Sequence, residues 1–365
     1  MSRLAAYIVT APGLEQVTAN EMTRYDMKVV DLGVGGLTAS LTWSQLMLAH
    51  LHLRTATRVL VRIGRFEASG FGDLQAGLRD IPFHEWLPKR CALNISVSAS
   101  ASRLNHTGAI SERVRAVVRR AYDPEFEYEG GVHTLHVRLS RNIATVSLDA
   151  TGDPLYQRGW RTESGPAPLR ETLAAALLQW SGAAAYKGAL TDPCCGAGTI
   201  MIEAAQMARR MPAGRNRSFA FENWLPVEPG QWGKLLTASD ADVRGPLKKK
   251  FVASDLKGEL IEKAKANAER AGVLDDLIFE IGDATKSLAG PHGGSGLAVV
   301  TNPPYGERLS AANQRALYLA LGRADRLAVI APTATIASFK REFDDTVTTS
   351  NGGLPVQFAR VAFTG

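Results

Sequence analysis

Strands and helices alternate from residue 171 to the end of the chain, and this alternation constrains the fold more than any other feature. A helix pattern at 171–182 precedes strand patterns in GALTD, FVASD, LIFEI, LAVV and RLAVIAP, most of them separated by helical stretches. Repeated strand–helix units predict an α/β fold, a mostly parallel sheet with helices on both faces. The closing stretch TVTTSNGGLPVQFARVAF predicts an antiparallel hairpin that turns at 351–353.

A glycine loop, DPCCGAGT at 192–199, lies between the first of these strands and a helix. Met201 stands where a dinucleotide fingerprint requires glycine, and no Gly-Lys-Ser/Thr follows, so neither phosphate-binding motif is present. Gly196 and Gly198 allow close approach to a ligand. We therefore expect a nucleoside-type ligand without phosphates, with Asp192 near its charged end. The loop residues predicted to bind it are Asp192, Pro193, Cys194, Cys195, Gly196, Ala197, Gly198 and Thr199.

Acidic residues end the next two strands. Asp255 can accept both hydroxyls of a ribose, but it follows Gly198 by 57 residues, where about twenty is usual. The basic segment 205–250 is therefore predicted to be an insertion. Asp283 either meets an adenine amino group or forms an Asx turn. The ligand contacts predicted around these two strands are Ser254, Asp255, Leu256, Asp283 and Ala284.

The stretch TNPPYGERL, residues 301–309, follows the LAVV strand. Two prolines force a rigid loop at the end of a strand. The amide of Asn302 and the carbonyl of Pro303 could accept both protons of an exocyclic amine, while Tyr305 stacks on the plane of the base. An ordinary turn with an asparagine and a buried tyrosine is the alternative. The predicted catalytic residues are Asn302, Pro303, Pro304 and Tyr305.

Positive charge concentrates in the first half of the chain, which reads as α+β. Residues 54–120 carry twelve Lys/Arg against five Asp/Glu, an excess of seven in a chain whose net charge is +6. Such a stretch favours a polyanion partner bound through phosphates, although a solvated surface gives the same pattern.

The three cysteines lack metal-site spacing, so we expect no metal and a reducing compartment. With neither a signal peptide nor a long apolar run, we expect a cytoplasmic protein without a membrane partner.

The order of these motifs resembles class I S-adenosylmethionine-dependent methyltransferases that modify exocyclic amines. The segments DPLYQRGWR, APLRETLAAALL, SRLNHTGAISERV, FAFENWL, NPPYGERL and NGGLPVQFARV further resemble the THUMP-containing RNA guanine-N2 methyltransferases, most of all the N-terminal half of those acting on bacterial 23S ribosomal RNA. Two departures are Ala197, where serine is more usual, and Trp160, where tyrosine is. Neither changes the character of the site.

This resemblance implies S-adenosylmethionine as cofactor and methyl transfer to the N2 amine of a guanosine. It implies a ferredoxin-like domain at 1–60, a THUMP RNA-binding domain at 61–150, a linker at 151–170, and a Rossmann-like methyltransferase domain at 171–365, with a mostly parallel seven-stranded sheet and the 205–250 insertion. We expect a monomer that binds structured RNA. The arginines predicted to contact RNA are Arg103, Arg113, Arg115, Arg119, Arg158, Arg161 and Arg308.

Three alternatives stay open at this point. The same architecture serves guanine-N2 methylation of transfer RNA. An Asn-Pro-Pro-Tyr loop also suits the N6 amine of adenine in DNA or RNA, although the long N-terminal half disfavours a DNA substrate. A non-catalytic RNA-binding or ribosome-assembly protein could have kept the fold, but such a protein should have lost the glycines, Asp255 and the Asn-Pro-Pro-Tyr loop.

Overall fold

A computed structural model of the protein describes residues 3–88, 91–121, 133–165, 168–288, 298–305 and 310–363. Among these residues, no helix is long and apolar enough to cross a membrane. The strands are β1 (Leu4–Thr10), β2 (Lys28–Gly33), β3 (Gly36–Leu41), β4 (Ala56–Glu67), β5 (Leu93–Ser100), β6 (His133–Ser140), β7 (Ile143–Asp149), β8 (Leu190–Asp192), β9 (Phe251–Asp255), β10 (Leu277–Ile281), β11 (Ala298–Thr301), β12 (Arg326–Pro332), β13 (Asp345–Asn351) and β14 (Leu354–Val361). The helices are α1 (Glu15–Thr23), α2 (Trp43–His52), α3 (Phe71–Arg79), α4 (Thr107–Ala121), α5 (Glu171–Ser181), α6 (Thr199–Ala208), α7 (Gln231–Ala241), α8 (Gly258–Arg270), α9 (Ala284–Ser287), α10 (Ala311–Leu321) and α11 (Thr333–Ile336).

The N-terminal half is built on one seven-stranded sheet in the order β2-β3-β1-β4-β7-β6-β5. Its first six elements follow the β-α-β-β-α-β order of ferredoxin-like units, as the resemblance implied for 1–60. Strand β4 is 12 residues long and pairs with β1 on one side and β7 on the other. The boundary predicted between residues 60 and 61 therefore falls inside a single strand, and the two predicted N-terminal domains share one sheet.

The C-terminal half has a second seven-stranded sheet in the order β10-β9-β8-β11-β12-β14-β13. Strands β8 to β12 are parallel to one another, and β14 runs antiparallel to both β12 and β13. The predicted methyltransferase-like sheet with a terminal hairpin is confirmed. The hairpin turns at Gly352 and Gly353, with φ values of 61° and 90° that suit glycine. Because the parallel strands share a direction, the loops that follow them meet at one edge.

The segment predicted to be an insertion, 205–250, packs against the N-terminal half. Phe219, Phe221 and Trp224 are buried in the same apolar core as the first sheet. Farther along, the Gln231 amide at the start of α7 donates a 3.0 Å hydrogen bond to the hydroxyl of Ser44 in α2. The insertion thus holds the methyltransferase sheet against the N-terminal sheet.

The predicted linker 151–170 is also a packed part of the structure. Leu155 lies in the N-terminal core, whereas Trp160 and Leu169 lie in the core of the methyltransferase sheet. Leu14 of the N-terminal half joins that second core as well. Apolar burial on both sides of the junction opposes independent movement of the two halves.

Candidate active site

A cavity of about 480 Å³ lies at the edge where the parallel strands end, the usual ligand position in open α/β sheets. The structure places most of the predicted cofactor-binding residues in its wall. These residues are Asp192, Pro193, Cys194, Cys195, Gly196, Ala197, Thr199, Asp255, Leu256, Asp283 and Ala284. Ser254 and Gly198 do not line the cavity but are bonded to Cys195, which does. The Cys195 amide donates to the Ser254 carbonyl at 2.9 Å, and the Gly198 amide donates to the Cys195 carbonyl at 2.9 Å.

Two glycines shape the loop after β8 for different reasons. Gly196 has a φ of 55°, and no atom lies within 4 Å of the position where a Cβ would stand. Gly198 has a φ of 87°, and its added Cβ would lie 3.1 Å from the Cβ of Ala264 in α8. Gly198 therefore permits close packing between two helices, while Gly196 keeps the loop backbone open towards the cavity.

Asp192, the last residue of β8, is the most deeply buried acid of the cavity. Its side chain is almost fully covered, and its Oδ1 accepts hydrogen bonds from the Thr301 hydroxyl at 2.7 Å and the Cys194 amide at 3.1 Å. Burial, with the nearby charge of Asp255 adding to it, raises the pKa of Asp192 to about 7. Thr301, which the sequence analysis missed, thus links the ends of two neighbouring strands at the site.

The other two acids brace the loops on which they stand. Asp255 accepts the Gly196 amide at 3.0 Å and the Lys257 amide at 3.0 Å, one with each oxygen. Asp283 caps α9 by accepting the amide and hydroxyl of Thr285 at 2.9 and 2.7 Å, and these bonds lower its pKa. The Asx-type contact anticipated for Asp283 is therefore present, and both of its bonds fall on Oδ1.

The Asn-Pro-Pro-Tyr loop begins at the end of β11, opposite the glycine loop. Asn302 and Pro304 line the cavity, and the Asn302 Oδ1 is buried without a hydrogen-bond partner among the described residues. A buried carbonyl without a donor is costly to keep. It therefore marks a place where a ligand donor would be favourable.

Tyr318 of α10 holds this loop from behind, and the sequence analysis missed it. Its hydroxyl donates to the Pro304 carbonyl at 2.8 Å, and its ring stacks on Phe339 with centroids 5.0 Å apart. Burial raises the pKa of Tyr318 to about 12, so the hydroxyl stays protonated as a donor. The tyrosine lies on the buried face of an amphipathic helix, where the sequence alone indicates only a core residue.

A second cavity, of about 830 Å³, adjoins the first. Arg161, Ser164 and Pro168 contribute to the walls of both. Tyr305 lines the second cavity and not the first. The Asn-Pro-Pro-Tyr loop therefore stands between the two, with its asparagine on one side and its tyrosine on the other.

Comparison with known protein families agrees with this geometry. A family model described as an RMKL-like methyltransferase domain matches residues 158–350, which is more than half of the chain. This chain belongs to the RMKL-like methyltransferase family. A second model, an RlmL ferredoxin-like domain, matches residues 6–60. The first match covers strands β8 to β13 of the second sheet, and the second match covers β1 to β3 and the beginning of β4 in the first sheet.

A relative named ribosomal RNA large subunit methyltransferase K/L, from Psychromonas ingrahamii, is 34% identical over 331 residues. The match covers 87% of this chain and 44% of that protein. The chain spans about half the length of the curated relatives it matches.

Solved structures of other proteins show the same fold over nearly the whole chain. A protein described as "a possible methylase" from Clostridium difficile 630 has a TM-score of 0.88 and 27% identity, covering 98% of both chains. SMU.472, solved as a complex with SAH, has a TM-score of 0.87 and 24% identity, covering 99% of this chain and 98% of that one.

Within this family fold, Arg158 is not the surface residue that the sequence analysis predicted. It is 2% exposed, and its Nε donates to Glu203 at 3.1 Å while its other nitrogens donate to the Leu155 and Arg54 carbonyls. Arg54 joins the same carboxylate at 2.7 Å. The structure therefore corrects the prediction for Arg158, because a side chain this deeply enclosed is not accessible to RNA and instead joins parts of the protein.

Arg161 is also largely enclosed, and its predicted RNA contact is not supported. Its side chain is 12% exposed and stands 3.1 Å from Glu171, and it donates to the Leu169 carbonyl and the Thr199 hydroxyl at 2.5 Å each. Burial raises the pKa of Glu171 to about 7, partly offset by Arg161. Arg161 thus joins the linker to the start of α6 at the wall of both cavities.

The remaining predicted RNA contacts lie in the N-terminal half or in the undescribed part of the loop. Arg103, Arg113 and Arg119 are exposed and Arg115 is half-buried. Arg113 lies over the ring of Phe71, 5.4 Å from its centroid. Arg308 falls outside the residues that the structure describes. The same described portion of the chain contains no group of three or more His, Cys, Asp or Glu side chains that could hold a metal ion.

Proposed function

We propose that the protein transfers a methyl group from S-adenosylmethionine to the exocyclic N2 amine of a guanosine in large-subunit ribosomal RNA. The observation that carries this proposal is the buried Asn302 carbonyl, which has no partner among the described residues and stands at the wall of the glycine-loop cavity. Such an acceptor lacks an N–H or O–H donor, and the exocyclic amine of a nucleobase is a donor that would satisfy it.

The residues of the first cavity fit S-adenosylmethionine. A volume of about 480 Å³ lies within the range of small-molecule sites, and the loop at Gly196 leaves room for close approach. In this proposal Asp255 would accept the ribose hydroxyls, Asp283 would accept the adenine amine, and Asp192 would lie nearest to the amino-acid end, all three being residues of the cavity wall. When bound, S-adenosylmethionine supplies an electrophilic methyl group on a sulfonium.

The protein's own part in the reaction is positioning. The amine lone pair of a guanine is delocalised into its ring, and acceptance of the amine protons by the Asn302 and Pro303 carbonyls localises it towards the methyl carbon. A nitrogen–carbon bond would form as the carbon–sulfur bond breaks, with S-adenosylhomocysteine as the leaving group, and one amine proton would pass from the nitrogen to water. Orientation of this kind accounts for much of the rate gain in such transfers. Tyr305 stacks on the guanine after it leaves its helix.

The RNA assignment is supported by the family and by the charge of the N-terminal half. The relatives that this chain matches are named for ribosomal RNA methylation. Arg103, Arg113 and Arg119 are exposed on the unit predicted to be a THUMP domain, where they can contact phosphates of structured RNA.

The test is incubation of the purified protein with methyl-labelled S-adenosylmethionine and total RNA, followed by nucleoside mass spectrometry. The proposal predicts label in N2-methylguanosine of the large ribosomal RNA. Label in N6-methyladenosine would overturn the base assignment, and label confined to transfer RNA would overturn the substrate. Absence of incorporation, with S-adenosylhomocysteine still bound, would favour a non-catalytic RNA-binding protein.

A further inference from the structure

The second cavity collects segments from distant parts of the chain beside the Asn-Pro-Pro-Tyr loop. Its wall is formed by the linker, the insertion at 217–218, the C-terminal hairpin turn at 351–352, and Tyr305. At about 830 Å³ it is larger than the adjoining cofactor cavity. A surface hollow between unrelated segments need not face a reactive centre, but this one is continuous with the predicted amine-binding loop.

Two arginines of this wall are neutralised and two are not. Arg158 pairs with Glu203, and Arg161 pairs with Glu171. Arg170 and Arg217, by contrast, form no ion pair with a carboxylate within the portion of the chain that the structure describes. Asp153 is an acid of the same wall, so Arg170 and Arg217 together leave an excess of one positive charge there, which favours an anion.

Arg170 stacks on the ring of Tyr156. Its guanidinium lies over the ring of Tyr156, 4.8 Å from the centroid, and the arginine is exposed while the tyrosine is half-buried. A stacked guanidinium keeps its edge donors free for phosphate oxygens, and its face remains suited to a nucleobase. This combination of charge and flat surface is typical of single-stranded nucleic-acid sites.

Arg217 is held rigidly on the opposite segment. It donates to the carbonyls of Pro154 and Gln157 at 2.6 and 2.9 Å and lies over Phe219, 4.8 Å from the centroid. Its Nε is buried without a hydrogen-bond partner among the described residues. Because these hydrogen-bond acceptors are neutral carbonyls, they hold the guanidinium of Arg217 in place without cancelling its positive charge.

We propose that the second cavity binds the RNA nucleotide that adjoins the target guanosine, with Arg170 on Tyr156 as the contact for its base and phosphate. This inference rests on the proposed function and deepens it, because it names the place where the strand beside the extruded base lies. Arg217 supplies a second, fixed positive charge for the backbone. A free mononucleotide lacks the adjoining nucleotide and is not the expected substrate.

The test compares Arg170→Ala with Arg326→Ala. Arg326 lies over Tyr186, 5.3 Å from the ring centroid, which is the same kind of pair at the start of β12, the opposite edge of the sheet. The probes are deproteinised large-subunit ribosomal RNA for turnover and a fluorescein-labelled single-stranded RNA for anisotropy. We expect Arg170→Ala to raise the KM for RNA and the Kd of the labelled strand by about tenfold. The slope of log Kd against log salt should fall by about one, and the affinity for S-adenosylhomocysteine should not change.

Arg170→Lys should recover the salt slope, which depends on charge, but not the full affinity, which also depends on stacking. Equal behaviour of Arg170→Ala and Arg326→Ala in both RNA assays would overturn the inference. The anisotropy arm separates this failure from that of the proposed function. If the wild-type protein binds the strand through Arg170 but methylates no RNA, the proposed function fails and the cavity assignment stands.

Discussion

Two buried polar clusters of this protein are built in opposite ways. At the junction of the two halves, Glu203 accepts hydrogen bonds from both Arg54 and Arg158, at 2.7 and 3.1 Å, so that each of these buried charges contacts one of opposite sign. At the strand ends, the described residues provide no cation for the buried Asp192, whose pKa rises to about 7, and no donor for the side-chain carbonyl of Asn302. The first cluster is complete without a ligand, and the second is complete only with one.

The pKa values express the same contrast. Both carboxylates are buried, but the two arginines outweigh burial at Glu203 and lower its pKa, whereas burial dominates at Asp192. The cluster of paired charges specifies how the two halves fit together. At the incomplete cluster, burial of polar groups without partners costs free energy, and a ligand that supplies those partners can remove the cost. Substitution should therefore damage stability at the first cluster and catalysis at the second.

The largest effect is expected for Asn302→Ala. Loss of the amide that accepts the amine protons should lower kcat by about 10²- to 10³-fold, as for other preorganised polar groups at a reacting centre. The melting temperature should change little, because the Asn302 carbonyl makes no hydrogen bond within the described structure. Steady-state kinetics and a thermal melt measure the two effects. A large loss of stability would show that Asn302 belongs with the structural cluster.

Glu203→Gln should produce the opposite pattern. Removing the charge leaves two buried guanidinium groups without a counterion, and we expect a loss of about 3–5 kcal/mol in the free energy of unfolding. Urea denaturation measures this loss. Glu262→Gln is the matched control, since Glu262 pairs with Lys265 at 2.8 Å on the surface of a helix and should contribute less than about 1 kcal/mol. Similar losses for the two variants would contradict the structural role of the triad formed by Arg54, Glu203 and Arg158.

Tyr318→Phe should give a smaller loss of kcat, because Tyr318 supports the Asn-Pro-Pro-Tyr loop from behind. The variant keeps the ring on Phe339 but removes the 2.8 Å hydrogen bond to the Pro304 carbonyl. We expect kcat to fall by about fivefold to tenfold, which corresponds to about 1 kcal/mol for one hydrogen bond. Affinity for S-adenosylhomocysteine should be unchanged. Unaltered kcat would show that the prolines alone fix the loop.

The last expected effect concerns the pH dependence of stability. The pKa of Asp192 is about 7 in the folded protein against an ordinary value of 3.8, so the folded state binds more protons between these pH values. Its contribution to stability therefore falls as pH rises from about 4 to about 7. Asp192→Asn should remove that slope, because the amide has no proton to lose in this range. Denaturation curves at pH 5 and pH 8 test this, and parallel behaviour of the two proteins would contradict it.

The sequence was sufficient to predict those features of the fold and the site that depend on local sequence pattern. Strand–helix alternation predicted the second sheet, and motifs at strand ends predicted the residues that border the cavity. The triad was not predictable in this way, because Arg54 and Glu203 are 149 positions apart and meet only in the folded protein. Arg158 was predicted to contact RNA for the same reason. It lies in a polar segment, and the sequence does not show that its partner is a distant, buried carboxylate.

The sequence also did not show that the N-terminal half is built on one continuous sheet. The pattern of β4 fits both the end of one domain and the start of the next, and only the pairing of β4 with both β1 and β7 shows a single sheet. Tyr318 and Thr301 were missed because their roles depend on a neighbouring strand or loop. Long-range pairing, and not local propensity, determines these positions.

Calorimetric titration of S-adenosylhomocysteine into the wild-type protein, Asn302→Ala and Asp255→Asn tests the division of roles at the incomplete cluster most directly. We predict that Asn302→Ala binds within about twofold of wild type, because its amide serves the substrate amine. Asp255→Asn should bind about tenfold more weakly, since hydrogen bonds from ribose hydroxyls to a charged carboxylate are stronger than those to an amide. Loss of binding in Asn302→Ala equal to that in Asp255→Asn would contradict the assignment of Asn302 to the methylated base.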